Sequence, residues 1–442
     1  MSGTLSGAEP ITLPIDRGMF DPPEELGRLR ERTPLCRLRY PDGHVGWLVT
    51  SYELARQVLG DGRFSLFPWR PAVGDPEQEN AVSVDVARRR DPRLAEVIDR
   101  YENCGKAAYE ALSDPEVLDV LRSDPPPTGA HLSSDPPYHD WLRRKLAGWF
   151  TPRRVNQQRE LVEQIVARQL AAMEQEGPAL DLVETFCLPI PSQLICALLG
   201  ASPTERHRFE QPTIVAFDPE ATAQQKVAAR HEFEDFLRKL IRRKRANPDD
   251  DLLSELVQDD ELSDDVLVHL ARFLFTAGHE TTANMLALSV MVLLQDRTRW
   301  DALRADPAMV GAAVEELLRF HTLLHQQAFP RTALQDVVLA GHTIRAGETV
   351  AVSLAAANRD PDRFAEPDRL DLARKDAAGH LGLGYGIHQC LGQHYARLEL
   401  QIGLTALASR FPELRLAVPI DEVPLYRPET FVHGVHRLPV TW

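Results

Sequence analysis

Apolar positions at helical spacing dominate the chain, and the longest such run extends from Ser263 to about Gln295. Ser263 can cap its first turn, and Asp264 and Asp265 place negative charge where the helix dipole favours it. Val266, Leu267, Leu270, Phe273 and Leu274 define one face, and from Met285 to Leu294 the pattern is apolar nearly all round. That is expected of a helix through the centre of a large core, on the order of 48 Å long at helical rise. Further helices are predicted from Pro22 to about Arg32, Tyr52 to Gly60, Leu161 to about Glu176, and Leu180 to Leu199, the last broken near Pro189 and Pro191. Polar helices flank a loop at Asp218-Pro219, and another helix runs from Asp306-Pro307 to near Phe320. Strand patterns are short: Cys36–Tyr40 and Val45–Thr50 form a hairpin across Pro41-Asp42-Gly43-His44, and Val337–Leu339 and Thr349–Ser353 flank Gly341 and Gly347. Between Phe67 and Thr128 lies a long segment with two helix starts that carry proline at the first position, Asp91-Pro92 and Asp114-Pro115.

Two stretches break these patterns. In the middle of the long helix stands Ala277-Gly278-His279-Glu280-Thr281-Thr282, a glycine followed by polar and β-branched residues that suit a buried helix poorly. Such local inconsistency often marks function. Threonine hydroxyls can bond to the preceding turn, open the ladder and leave room for a small ligand. The second stretch, Gly379 to His394, holds Cys390 with His388 two residues before it and glycines at 384, 386 and 392. An amphipathic helix follows, from about Leu391 to Phe411, and Pro412 stops it. A thiol in a glycine-rich loop at a helix N-terminus is biased towards thiolate, and the glycines let a flat ligand approach the main chain. An anionic sulfur donates electron density through iron and favours O–O cleavage.

Composition narrows the alternatives. The chain has 442 residues, 43% hydrophobic and 26% charged, with a net charge of −15 that argues against a nucleic-acid partner. Met1 to Asp16 carries no apolar run, so neither a signal peptide nor a membrane anchor is expected, and a cytoplasmic location follows. The five cysteines, at 36, 104, 187, 196 and 390, have no metal-finger spacing and read as reduced thiols.

Gly384-x-Gly386-x-His388-x-Cys390-x-Gly392 resembles the haem-binding signature of the cytochrome P450 family, soluble bacterial type. The resemblance extends from about residue 22 to 440 through ordered motifs. Ala277 to Thr282 resembles the family's oxygen-binding helix, with Glu280 and Thr281 as its acid–alcohol pair. Asp135-Pro136-Pro137-Tyr138-His139 leads into a helix on which His139 and Arg143, four apart, share a face; the matching family residues bind a haem propionate. Arg331 matches the arginine on the second propionate, and His388 another propionate contact. Glu316 and Arg319 with Arg369 resemble a buried triad behind the haem. The family usually has phenylalanine where Leu383 stands, and a smaller side chain there would shield the sulfur less.

The resemblance implies a single domain over residues 1–442, mainly α with small β-sheets, a triangular helical prism around haem b. Residues 1–21 would be a loose arm, and 67–128 would cover the substrate mouth. Cys390 would carry the iron, and Ala277, Gly278, Leu383, Gly384 and Gly392 would lie against the cofactor. His139, Arg143, Arg331 and His388 would anchor its carboxylates. The implied reaction inserts one oxygen atom from O2 into a medium-to-large organic substrate, free or carrier-borne, by hydroxylation or epoxidation, as in natural-product tailoring. Electrons would come from NAD(P)H through ferredoxin reductase and ferredoxin; Arg144, Lys145, Arg153 and Arg154 form a local positive patch that could dock an acidic ferredoxin. His321 to Gln327 falls where family members line the substrate pocket. Three rivals share much of this sequence: oxidative coupling or cyclisation at the same haem, peroxide-driven oxidation, and a non-catalytic haem sensor or carrier-binding protein. The retained Glu280-Thr281 pair counts against the peroxide-driven reading.

Overall fold

A computed structural model describes residues 9–40, 43–66, 132, 134–217, 221–324, 330–427 and 432–442. The long segment at 67–128, the loop at Asp218-Pro219, the turn residues Pro41 and Asp42, and residues 325–327 of the expected pocket stretch lie outside these. The chain is divided between two compact units: Met1–Arg143 with Leu324–Asp368 and Gly384–Gln389, and Arg144–Leu323 with Arg369–Leu383 and Cys390–Trp442.

In the first unit a six-stranded sheet runs in the order Ile11–Thr12, Leu35–Arg39, Val45–Val49, Thr349–Val352, Arg331–Ala333, Phe64–Ser65. The predicted hairpin forms with Leu35 opposite Val49 and Arg39 opposite Val45. Val45–Val49 pairs in parallel with Thr349–Val352, whose four residues are all buried, as a central strand requires. Helices form at Glu24–Arg32 and Tyr52–Gly60, as predicted. Asp360 Oδ2 accepts the Tyr52 amide at 2.8 Å, holding the second helix start to the Asn358–Asp360 segment.

The second unit is helical and built around one uninterrupted helix, Asp264–Leu294. Ser263 Oγ accepts the Val266 amide at 3.3 Å, the predicted cap. Every residue from Thr282 to Leu293 is buried, consistent with the all-round apolar pattern. Helices Pro189–Leu198, Ala223–Ala246 and Gln393–Arg410 pack against it. One expectation is corrected here. Leu180–Leu199 is helical only after its first two residues: Leu180–Asp181 is a strand paired with Pro439–Thr441, a helical turn at Val183–Cys187 follows, and helix Pro189–Leu198 starts at the expected break, where a missing N–H costs nothing. The polar run before the long helix forms helices as expected, His207–Phe217 and Ala223–Ala246. Among the described residues no helix is long and apolar enough to cross a membrane.

Candidate active site

In the first unit, helix Tyr138–Ala147 presents His139, and the short turn Gly386–His388 presents His388. Their rings meet edge to face with centroids 4.5 Å apart. Gly386 has φ +77°, and a Cβ there would lie 2.5 Å from the Leu59 carbonyl oxygen, so only glycine lets the turn sit this close to its neighbour. Arg143 Nη2 donates to the Gln389 carbonyl at 2.6 Å, tying the helix to the chain just before Cys390. Burial pushes His388 down to about 3, and the positive charge of Arg331 adds to it. Burial likewise lowers Arg331, to about 10, against the opposing pull of Asp135. Two buried ring nitrogens here, His139 Nε2 and His388 Nδ1, have no hydrogen-bond partner in the structure. With Asp140 2.9 Å from His139 Nδ1 and Asp135 beside Arg331, these buried and half-buried imidazoles and guanidiniums suit the carboxylates of an incoming anion.

The second unit carries the cysteine. The Cys390 amide donates to the Leu383 carbonyl at 2.9 Å, closing the glycine loop on itself, and helix Gln393–Arg410 begins three residues on, with Gly392 at its N-cap. None of the four described cysteines is in a disulfide. Burial pushes Cys36 up to about 11, and Cys187 and Cys196 higher still, so these three are inert as ligands. Cys390 is part-exposed and stands at the helix start. Behind the loop, His380 Nδ1 accepts the Gly382 amide at 2.9 Å while its Nε2 lies 3.3 Å from Glu315 Oε2. Arg397, on the cysteine helix, grips the same carboxylate twice, at 2.6 and 3.0 Å. Burial opposes ionisation of Glu315, but the bonds from His380 and Arg397 prevail and hold it down to about 2.

The buried triad differs from expectation in one member. Glu316 and Arg319 pair at 2.7 Å with both side chains fully buried, but the third partner is Arg374, whose Nε lies 3.0 Å from Glu316 Oε2. Arg369 contributes its backbone carbonyl, which accepts from Arg374 Nη2 at 3.0 Å, while its side chain is 61% exposed. The turn after Arg369 delivers the Arg374 side chain to the carboxylate and leaves the Arg369 side chain outside.

On the long helix, Thr281 Oγ1 donates to the Ala277 carbonyl at 2.7 Å, as its type and spacing predict, although the helix stays continuous rather than opening. Ala277 is exposed and Thr281 part-exposed at mid-helix, a patch where a flat ligand can lie, whereas Gly278 faces Ile195 of helix Pro189–Leu198. Glu280 is buried, and it is not a solvent-facing acid. Tyr426 donates to its Oε1, and Asn284 Nδ2 donates to the same oxygen at 3.0 Å. Sequence reasoning missed both partners. Asn284 carries the i,i+4 signal; Tyr426 stands far along the chain with no signal at all.

Residues 202–425 match the cytochrome P450 family. The chain is 40% identical over 440 residues to cytochrome P450 105C1 of a Streptomyces species, covering 99% of this chain and 100% of the relative. The chain belongs to the cytochrome P450 family. It is therefore a haem-dependent oxidoreductase, a monooxygenase that works on small molecules with redox partners. Pentalenic acid synthase of Streptomyces avermitilis is a further similar protein, 38% identical over 442 residues, with 99% of this P450 and 98% of the relative covered. The crystal structure of cytochrome P450 MoxA from Nonomuraea recticatena superposes with a TM-score of 0.79 at 37% identity, covering 98% of each chain. The mainly helical fold with small sheets is thus that of the family.

Proposed function

We propose that this P450 is a cytoplasmic haem b monooxygenase that inserts one oxygen atom into a medium-to-large organic substrate in natural-product tailoring, with electrons from NAD(P)H through ferredoxin reductase and ferredoxin. One observation carries the reading: Cys390 stands part-exposed in a closed glycine loop at a helix start, while burial raises the other three described thiols. The residues present fit the cofactor. Beside the guanidiniums of Arg143 and Arg331, the ring nitrogens His139 Nε2 and His388 Nδ1 are left without partners, a polar setting that would suit the cofactor's carboxylates.

Bound haem supplies activation of dioxygen by two electrons and transfer of one oxygen atom to a C–H bond or an alkene. Cys390 would hold the iron, with Leu383, Gly384 and Gly392 forming the backbone around the sulfur. His139, Arg143, Arg331 and His388 would bind the carboxylates, and Ala277 would form the helix surface facing the cofactor, while Gly278, expected there as well, faces helix Pro189–Leu198 instead. Thr281 keeps its proton on the Ala277 carbonyl, so its oxygen stays available to accept from an incoming proton carrier. Both side-chain bonds to Glu280 end on Oε1, which leaves Oε2 as the oxygen that exchanges protons.

The visible spectrum of the dithionite-reduced protein with carbon monoxide tests this. A strongly red-shifted Soret band that disappears in Cys390→Ser is expected. Only the band of a histidine-ligated haem, or no haem, would remove the assignment of Cys390 and the chemistry with it.

A further inference from the structure

The carboxyl that the proposed proton transfer depends on is anchored by a part of the chain that no motif marks. Residues Leu425 and Val435 bridge in antiparallel fashion near the C-terminus, and the Tyr426 amide donates to the Gly434 carbonyl at 2.8 Å. This hairpin is fastened to the long helix at two points one turn apart. At the first, the Tyr426 hydroxyl donates to Glu280 Oε1. At the second, Asn284 Oδ1 accepts the Val435 amide at 3.0 Å. Asn284 Nδ2 closes the circuit by donating at 3.0 Å to both Glu280 Oε1 and the Glu280 carbonyl. A Cβ on Gly434 would lie 2.1 Å from Asn284 Oδ1, so the hairpin can approach only because glycine stands there. The ring of His436 stacks at a tilt on Tyr426, centroids 4.5 Å apart, which limits where the hydroxyl can point.

We infer that Tyr426 is a positioning residue for Glu280: with Asn284 it fixes the carboxyl by Oε1, so that the position of the C-terminal hairpin sets the geometry of proton delivery at the long helix. This rests on the assignment of Glu280 to proton transfer and goes beyond it, because it makes the efficiency of that transfer depend on a hairpin remote in sequence. Three donors or acceptors from two elements converge on one carboxyl and one amide. In a buried setting such a network is specific, since each member left without its partner carries a desolvation cost. A phenylalanine at 426 would keep the ring packing and remove only the hydroxyl.

The test is a cycle of Tyr426→Phe, Glu280→Gln and the double variant in the haem-loaded, full-length protein. Electrons are supplied from NADH by a plant-type ferredoxin and its reductase. The share of reducing equivalents released as hydrogen peroxide is measured in H2O and D2O. Tyr426→Phe should raise that share several-fold and change its solvent isotope effect, while the ferrous–carbon monoxide band stays in place. In the Glu280→Gln background the same substitution should add nothing. Thermal unfolding and amide exchange at Val435 supply a readout independent of the haem: the destabilisations should be less than additive, and either single variant should loosen the Val435 amide. A Tyr426→Phe protein with altered unfolding but wild-type peroxide share and isotope effect would reduce the tyrosine to a structural role and overturn the inference. So would an effect that persists undiminished without Glu280, or strictly additive unfolding. If the wild type lacks the red-shifted band, the haem-thiolate assignment fails instead, and the unfolding cycle still decides whether Tyr426 holds Glu280.

Discussion

Thr281 and Glu280 are neighbours on one helix, yet their surroundings divide the labour between them. Thr281 is part-exposed and bonded only to its own helix at Ala277; Glu280 is buried and bonded to another element. Under the proposed function the threonine would be the member that meets a ligand at the exposed Ala277 patch, and the glutamate the member that supplies it with protons. Thr281→Ala should therefore leave folding and the carbon monoxide spectrum intact, since the lost bond is a local side-chain bond to the same helix. It should still consume oxygen but divert most electrons to free hydrogen peroxide. Peroxide and product yields per NADH check this, and unchanged coupling would remove Thr281 from the chemistry. The residue types at 277–282 made this pair legible, because they violate the pattern of the helix they sit in. The partner of Glu280 left no such trace: a tyrosine before a hairpin looks like any other tyrosine until packing brings it to the helix.

The elements show where local pattern is sufficient and where it is not. The long helix, the hairpin at Leu35–Val49 and the cysteine helix were legible because capping, periodicity and turn residues all lie within each of them. Leu180–Asp181 was not, since its strand character comes from pairing with Val440, far along the chain. The buried cluster around Glu316 is the same case in miniature. The sequence pattern points to Arg369, and only the turn after it brings Arg374 to the carboxylate. Stability separates them. Arg374→Ala removes a charged partner from a fully buried carboxylate that keeps Arg319 and the Asp371 amide, and should cost about 2–3 kcal/mol. Arg369→Ala removes a largely exposed side chain but keeps the carbonyl, and should stay within about 0.5 kcal/mol. Urea unfolding at neutral pH distinguishes the two, and equal losses would restore Arg369 to the triad.

At the scale of the whole molecule the formal charge is −15, so an acidic electron donor is repelled from a distance and must be drawn in locally. The positive patch expected from Arg144, Lys145, Arg153 and Arg154 is only half available. Lys145 lies 2.5 Å from both Asp259 and Glu261, and Arg154 pairs with Asp250 at 3.0 Å while lying over the Trp149 ring. Arg144 and Arg153 are exposed. A surface charge already answered by carboxylates contributes little to the field beyond about one Debye length, roughly 8–10 Å at 0.1–0.15 M salt. The two exposed arginines should then dominate attraction of an acidic ferredoxin. Arg144→Glu with Arg153→Glu should slow reduction by such a ferredoxin on the order of tenfold at low ionic strength, and the gap should close as salt is raised. Lys145→Ala should slow it far less, because removing that lysine changes a neutralised site. Stopped-flow reduction under carbon monoxide, read across a salt series, measures both. Equal effects from the two sets, or a deficit that salt does not relieve, would place electron entry elsewhere on the surface.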